Sequence, residues 1–319
     1  LLPFCAVSLP RTFCAKLLYR ELAMRQVFWL DLSWVGTMTA LTLWLLWRQE
    51  LRGFADLAMI AVIGMGVSSL VGIPLCWPWL RFGWHGRTRL REILRFTLPQ
   101  TLASSLHTGM RQLDVYLVQY FFGVAVVGLY QAAKTFYRLF DTAFDLIAGL
   151  LYPAAVRLLS AGAEEELRTL LAKTLSVTFL GIVVIVALIE VGGADIVLTP
   201  LLVTEYEPAI LYFKLFALGA LGIPFAVLGP AILAIGRSRR MLFHIALATL
   251  VGTTTLVVIG LSSTAVITPL GMVAYTLVLG LLNFGFVQRR FRIPWPELFR
   301  SLGDFRGFVQ SLRSQQRAA

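Results

Sequence analysis

The chain has 319 residues, of which 58% are hydrophobic and only 14% charged, with a mean hydropathy of +0.78 and a formal net charge of +11. A water-soluble domain carries roughly 25% charged residues, so this composition excludes one. The basic residues are dispersed over loops and not gathered on one face, which argues against nucleic acid as a partner. The apolar residues fall in long blocks that lack the alternation of barrel strands. Each block approaches the ~20 residues with which a helix crosses the ~30 Å hydrocarbon layer. The expected fold class is therefore all-α, a polytopic transmembrane helical bundle.

Residues 1–18 hold Pro3, Pro10, Arg11 and Lys16. A signal peptide places its charge before the apolar stretch, so this segment reads as the end of a helix. Eight spans follow, over about 28–47, 56–78, 96–120, 127–152, 171–191, 208–235, 241–260 and 269–288, with boundaries placed to within a few residues. The connections between them are short, so one membrane domain is expected with no large soluble appendage. Arg11, Lys16, Arg20 and Arg25 precede the first span. The remaining clusters are Arg81 to Arg95, Arg157 to Lys173, Arg237 to Arg240, and Arg289 to Arg317. With strict alternation all of these fall on one side, which the positive-inside rule makes cytoplasmic, the C-terminus included. Anionic lipid of the bilayer is their expected neighbour. The opposite side holds Arg48, Arg52 and an acidic loop with Asp195, Glu205 and Glu207. After the last span, Leu298, Leu302, Phe305, Val309 and Leu312 recur at helical spacing among arginines, which predicts an amphipathic surface helix over 296–313.

The informative residues lie inside the spans. In the third, His107, Arg111 and Asp114 stand at i, i+4 and i+7. In the fourth, Lys134, Arg138, Asp141 and Asp145 stand at i, i+4, i+7 and i+11, with Tyr130 and Tyr137 close by. Each set shares one helical face. A central charge costs ~2.5–3.5 kcal/mol on the mild insertion scale, and snorkelling relieves only residues near a helix end. Two readings follow. In one, Arg111 pairs with Asp114 and Arg138 with Asp141, buried between helices. In the other, the stripes line a hydrophilic cavity where Arg111, Lys134 and Arg138 attract an anionic substrate, since a guanidinium fork suits phosphate. Asp114, Asp141 and Asp145 would then hold the bases in place or bind a coupling ion. Bases and acids balance, so counting leaves the sign of a substrate open.

The sixth span contains Gly219, Gly222, Pro224, Gly229 and Pro230. Each proline removes an intrahelical hydrogen bond. A membrane helix tolerates that only where protein or cavity water satisfies the freed carbonyl. Gly222, Pro224, Gly229 and Pro230 are candidates for a hinge beside a transport pathway, or for a static kink. Cys5, Cys14 and Cys76 have no metal spacing and read as small apolar residues. No phosphate loop, HExxH or Gly-x-Ser-x-Gly pattern occurs, and neither metal nor cofactor is expected.

Residues 94–136 read LRFTLPQTLASSLHTGMRQLDVYLVQYFFGVAVVGLYQAAKTF. Pro99 at the helix start, Asp114, and the Gly123…Gly128-x-Tyr130-x-x-Ala133 passage into the next helix resemble the Wzx-like polysaccharide flippases of the MOP (MATE-like) transporter superfamily. Tyr206-x-x-Ala209 entering a helix that ends in Gly236-Arg-Ser-Arg is similar to the same family, as is LLYRELAMR at 17–25. Members have 12 or 14 spans, so the resemblance implies that the first helices are absent here. It would make 1–93 the remainder of an N-terminal lobe, 94–290 a six-helix C-terminal lobe, and 291–319 a cytoplasmic tail.

The resemblance implies a non-enzymatic transporter of the bacterial cytoplasmic (inner) membrane. Its substrate would be an undecaprenyl-diphosphate-linked oligosaccharide for polysaccharide or lipopolysaccharide synthesis, O-antigen and exopolysaccharide among them. Polymerase and assembly proteins would be its partners. On this view Arg111, Lys134 and Arg138 meet the diphosphate, with His107, Tyr130 and Tyr137 beside them. Two alternatives are a cation-coupled multidrug or small-solute antiporter of the same superfamily and a membrane polysaccharide polymerase or ligase. The latter usually needs a large outward loop, and the longest here, 192–207, has no His, Lys or Arg.

Overall fold

The computed structural model describes residues 2–21, 23–50, 53–80, 90–262 and 264–293. Every element in them is helical. The surface helix expected over 296–313 lies outside the described residues.

The chain divides into two compact units, Leu1–Arg87 and Thr88–Ala319. The first holds α1 (Leu2–Arg20), α2 (Met24–Trp47) and α3 (Phe54–Cys76). Cys14, Leu18, Val27, Leu30 and Cys76 form its buried centre. Arg11 bonds Asp31 at 2.5 Å and Ser68 at 3.2 Å, and its guanidinium lies 4.6 Å from the Trp34 ring. Arg11 of α1 and Asp31 of α2 thus neutralise one another.

The second unit begins with α4 (Leu90–Ser160), two helical limbs that meet at the non-helical Gly123, where the chain reverses. Gly123 has φ +79°, a left-handed conformation that costs an L-residue roughly 1–2 kcal/mol. Contacts between residues on either side of this turn, described below, make the two limbs an antiparallel pair. α5 (Glu164–Leu188) continues through a π turn at Ile189–Gly193 into α6 (Ala194–Leu198). Next come α7 (Ala209–Ala220), α8 (Ile223–Ala226) and α9 (Gly229–Ala234), three pieces of one broken helix whose first part is bent by 41° from the rest. α10 (Ser238–Leu261) and α11 (Leu270–Phe291) complete the unit. Tyr130, Tyr137, Phe216, Leu228, Ile232 and Tyr275 lie at its buried centre.

Five described helices are long and apolar enough to cross a membrane, and the bent pair makes a sixth. That count takes α4 once, although each limb beyond Gly123 exceeds the ~20 residues a crossing needs. α2, expected as the first span, is not among them. It carries Arg25 and Asp31 with several Ser, Thr and Gln residues, which dilute its hydropathy. The protein is a multi-pass membrane protein.

Candidate functional site: a charged hairpin beside a pinned helix break

The two limbs of α4 meet through their charges. Asp114 is fully buried and accepts hydrogen bonds from Lys134 Nζ (2.6 and 2.7 Å), from the Tyr130 hydroxyl (2.8 Å) and from the Val115 N–H (2.7 Å). Lys134 Nζ also donates to the Arg111 carbonyl at 2.6 Å. Arg111 reaches across to Asp141 at 2.6 Å. The pairs are therefore exchanged relative to the expectation: Arg111 does not hold Asp114, nor Arg138 Asp141. Pairing across the hairpin ties the limbs together.

Lys134 and Asp114 are thereby removed from solvent and neutralised. Arg111 and Asp141 are three-quarters buried or more. They line a cavity of about 20 Å³ together with His107, Tyr137, Tyr275 and Thr276. Its volume is near that of one water molecule, far below that of a diphosphate. His107 Nδ1 lies 2.5 Å from the Tyr275 hydroxyl. In this conformation Arg111 and Lys134 are each engaged in an ion pair. Arg138 and Asp145 differ: both are exposed, and neither has an ion-pair partner among the described residues.

Exposure divides each limb into three sectors. On the first, Ala103, Met110, Asp114 and Val118 are buried and Leu98, Leu102, Leu106 and Leu113 form an exposed apolar stripe. A third sector, Thr101, Ser105, Thr108, Gln112 and Gln119, is exposed and polar. On the second limb, Ala133, Tyr137 and Phe140 are buried, and Leu139, Leu146 and Leu150 are exposed. The third sector there is Thr135, Arg138, Thr142 and Asp145, with Gln131 partly covered. A sequence reading that looks for charges alone passes over these Ser, Thr and Gln positions. Their spacing of three and four was the available signal.

The broken helix is built differently. Pro230 has no N–H for the carbonyl of Ala226 four residues earlier. That carbonyl instead accepts from Asn283 Nδ2 of α11 at 3.1 Å. Asn283 Oδ1 in turn lies 2.9 Å from His244 Nδ1 of α10. Because the amide nitrogen donates to the carbonyl, Oδ1 is the acceptor and His244 carries its proton on Nδ1. Asn283 and His244 are both buried. At the bend, a Cβ on Gly222 would stand 2.7 Å from the Thr276 carbonyl, and one on Gly280 would stand 2.6 Å from the Gly222 carbonyl. Backbones of α8 and α11 are thus in direct contact. Gly229 faces the side chains of Met241 and Asn283. Neither Tyr275 nor Asn283 was singled out by sequence reasoning, although a polar residue midway along the last span is itself a signal.

Residues 8–211 match the model of a family described as polysaccharide biosynthesis protein. No curated protein matches the chain in sequence. Among solved structures, the chain is similar to the crystal structure of a MATE point mutant. The TM-score is 0.71 at 14% identity, over 91% of this chain and 69% of that one. It is also similar to MATE in the bent conformation, with a TM-score of 0.66 at 14% identity over 87% of this chain and 63% of that one. This chain thus spans about two thirds of the length of these structures. The chain belongs to the polysaccharide biosynthesis protein family and has the helical fold of these MATE structures.

Proposed function

We propose that this protein translocates a lipid-linked oligosaccharide, carried on undecaprenyl diphosphate, from the cytoplasmic to the outer leaflet of a bacterial cytoplasmic membrane. The basic loops and the C-terminus face the cytoplasm by the positive-inside rule. Polymerase and assembly proteins then receive the product outside. Passage proceeds by alternating access, with no covalent step.

Arg138 carries this reading. It is an exposed guanidinium well inside a membrane-crossing limb. Facing lipid at that depth would cost ~2.5–3.5 kcal/mol, so its face borders water or a ligand. A guanidinium takes a phosphate oxygen pair through two parallel N–H donors. Arg111 and Lys134 have their charge balanced locally and shape the wall behind it. Membership of a polysaccharide biosynthesis family supports a glycan-bearing substrate, and the MATE-like fold supports alternating access as the mode of action.

The test is a reconstitution. Vesicles containing the full chain and a labelled undecaprenyl-diphosphate oligosaccharide are treated outside with an impermeant glycosidase. Net movement brings the lumenal pool within reach of the enzyme. Arg138→Gln slows this movement at least tenfold, and Arg138→Lys retains part of it because the charge stays and only the fork is lost. Unchanged movement with Arg138→Gln would sink the reading.

A further inference from the structure

The uncharged polar sectors of α4 have no role in the pairs just described. We propose that they form the track along which the glycan, as distinct from the diphosphate, is held. The proposal rests on the transport reading above and assigns a second set of contacts to the same substrate.

Ser105, Thr108 and Gln112 follow one another at three- and four-residue spacing on the first limb, and all are exposed. Thr135 and Thr142 flank Arg138 on the second, also exposed. Both sets lie at comparable chain distances from the Gly123 turn, so the antiparallel limbs bring them to the same depth. The Arg111–Asp141 bridge stands at their common edge. Arg111 is three residues beyond Thr108, and Asp141 is three beyond Arg138, which places each partner beside its own limb's polar stripe.

The chemistry of these groups selects a polyhydroxyl. The Thr135 hydroxyl donates to the Gln131 carbonyl and the Thr142 hydroxyl to the Arg138 carbonyl, each at 2.9 Å. Their hydrogens are therefore used locally, and their oxygen lone pairs remain to accept from outside. The Gln112 amide offers both a donor and an acceptor. The side chains of the track itself are uncharged, which suits a chain of sugar hydroxyls better than a second anion. The apolar stripes of Leu98, Leu102 and Leu139 occupy other sectors of the same limbs, so lipid contact already has its own face.

A glycan track makes transport depend on glycan length. Two substrates are compared, an undecaprenyl diphosphate bearing one sugar and one bearing a complete repeat unit of several sugars. Gln112→Leu and Thr108→Val each slow the longer substrate about fivefold, as loss of a neutral hydrogen bond should, and slow the one-sugar substrate by a markedly smaller factor. Leu113→Val and Leu139→Val, on the apolar stripes, change neither. Equal slowing of both substrates by the Gln112 and Thr108 variants, or no slowing, would overturn the track while leaving the transport reading intact. Failure of the unaltered chain to move either substrate would instead overturn the transport reading and the track with it. A second measurement covers variants that do not fold. Free oligosaccharide protects Thr108→Cys and Thr142→Cys from an impermeant thiol reagent, in a chain whose native cysteines are replaced by alanine, and absence of protection overturns the track.

Discussion

Two parts of the second unit bring polar groups into hydrocarbon and treat them in opposite ways. At the break between α8 and α9, the group freed by Pro230 is matched by Asn283, whose orientation is fixed by His244, and all three are buried. In the α4 hairpin, two ion pairs are closed off while Arg138 and Asp145 stay exposed with a row of hydroxyls and amides. The first arrangement is buried and turned inward on its own helices. The second has a rigid, neutral wall, and in front of it a cation with no ion-pair partner among the described residues. On the transport reading proposed above, the exposed groups aligned at one depth, and not the buried ones, would meet the substrate.

The contrast yields predictions of decreasing size. Lys134→Met leaves the Asp114 carboxylate buried without its cation, and breaking such a pair costs about 3–5 kcal/mol. Thermal unfolding in detergent should reveal this as a large fall in Tm, mostly recovered when Asp114→Leu is added, because removing both charges removes the penalty. A Lys134→Met chain as stable as the parent would mean that the hairpin is not held by this pair. Gly222→Ala drives a methyl group into the Thr276 carbonyl, and overpacking of this kind costs about 1–3 kcal/mol. If the break instead worked as a loose hinge, this variant would be neutral in stability. Asn283→Leu strips the Ala226 carbonyl of its donor at a cost of about 1 kcal/mol, in line with hydrogen bonds between membrane helices. His244→Leu should act through the same bond, so the double variant should lose less than the sum of the two, a coupling that a double-mutant cycle measures. Arg138→Gln should shift stability by no more than about 0.5 kcal/mol, as for an exposed residue, yet it should cost most of the transport. Expression and Tm alongside the vesicle measurement separate these effects.

The sequence made the fold class and most helix positions legible, because a 20-residue apolar block has few alternatives. The charge clusters were also legible, and Gly123 was placed in the turn that the structure puts there. The partners were not. Spacing along one helix says that Arg111 and Asp114 share a face, but it says nothing about which group the opposite limb brings. The cross-hairpin pairs therefore replaced the pairs within one helix. The prolines announced a break at 224–230 without revealing that Asn283, more than fifty residues later, completes it. The hydroxyl stripes were present in the sequence at helical spacing. Only exposure separates them from Ser and Thr that bond back to their own helix inside a packed bundle, as Ser176 and Thr276 do.

The central claim is that one face of the α4 hairpin borders water within the membrane layer. Single cysteines placed at each position from 131 to 150, in a chain whose native cysteines are replaced by alanine, test it directly with a charged, membrane-impermeant thiol reagent applied to reconstituted vesicles. The account predicts rapid labelling at 135, 138, 142 and 145 and slow labelling at 139, 146 and 150, a helical pattern with its maximum on the Arg138 face. Uniformly slow labelling, or a maximum on the Leu139 face, would contradict it.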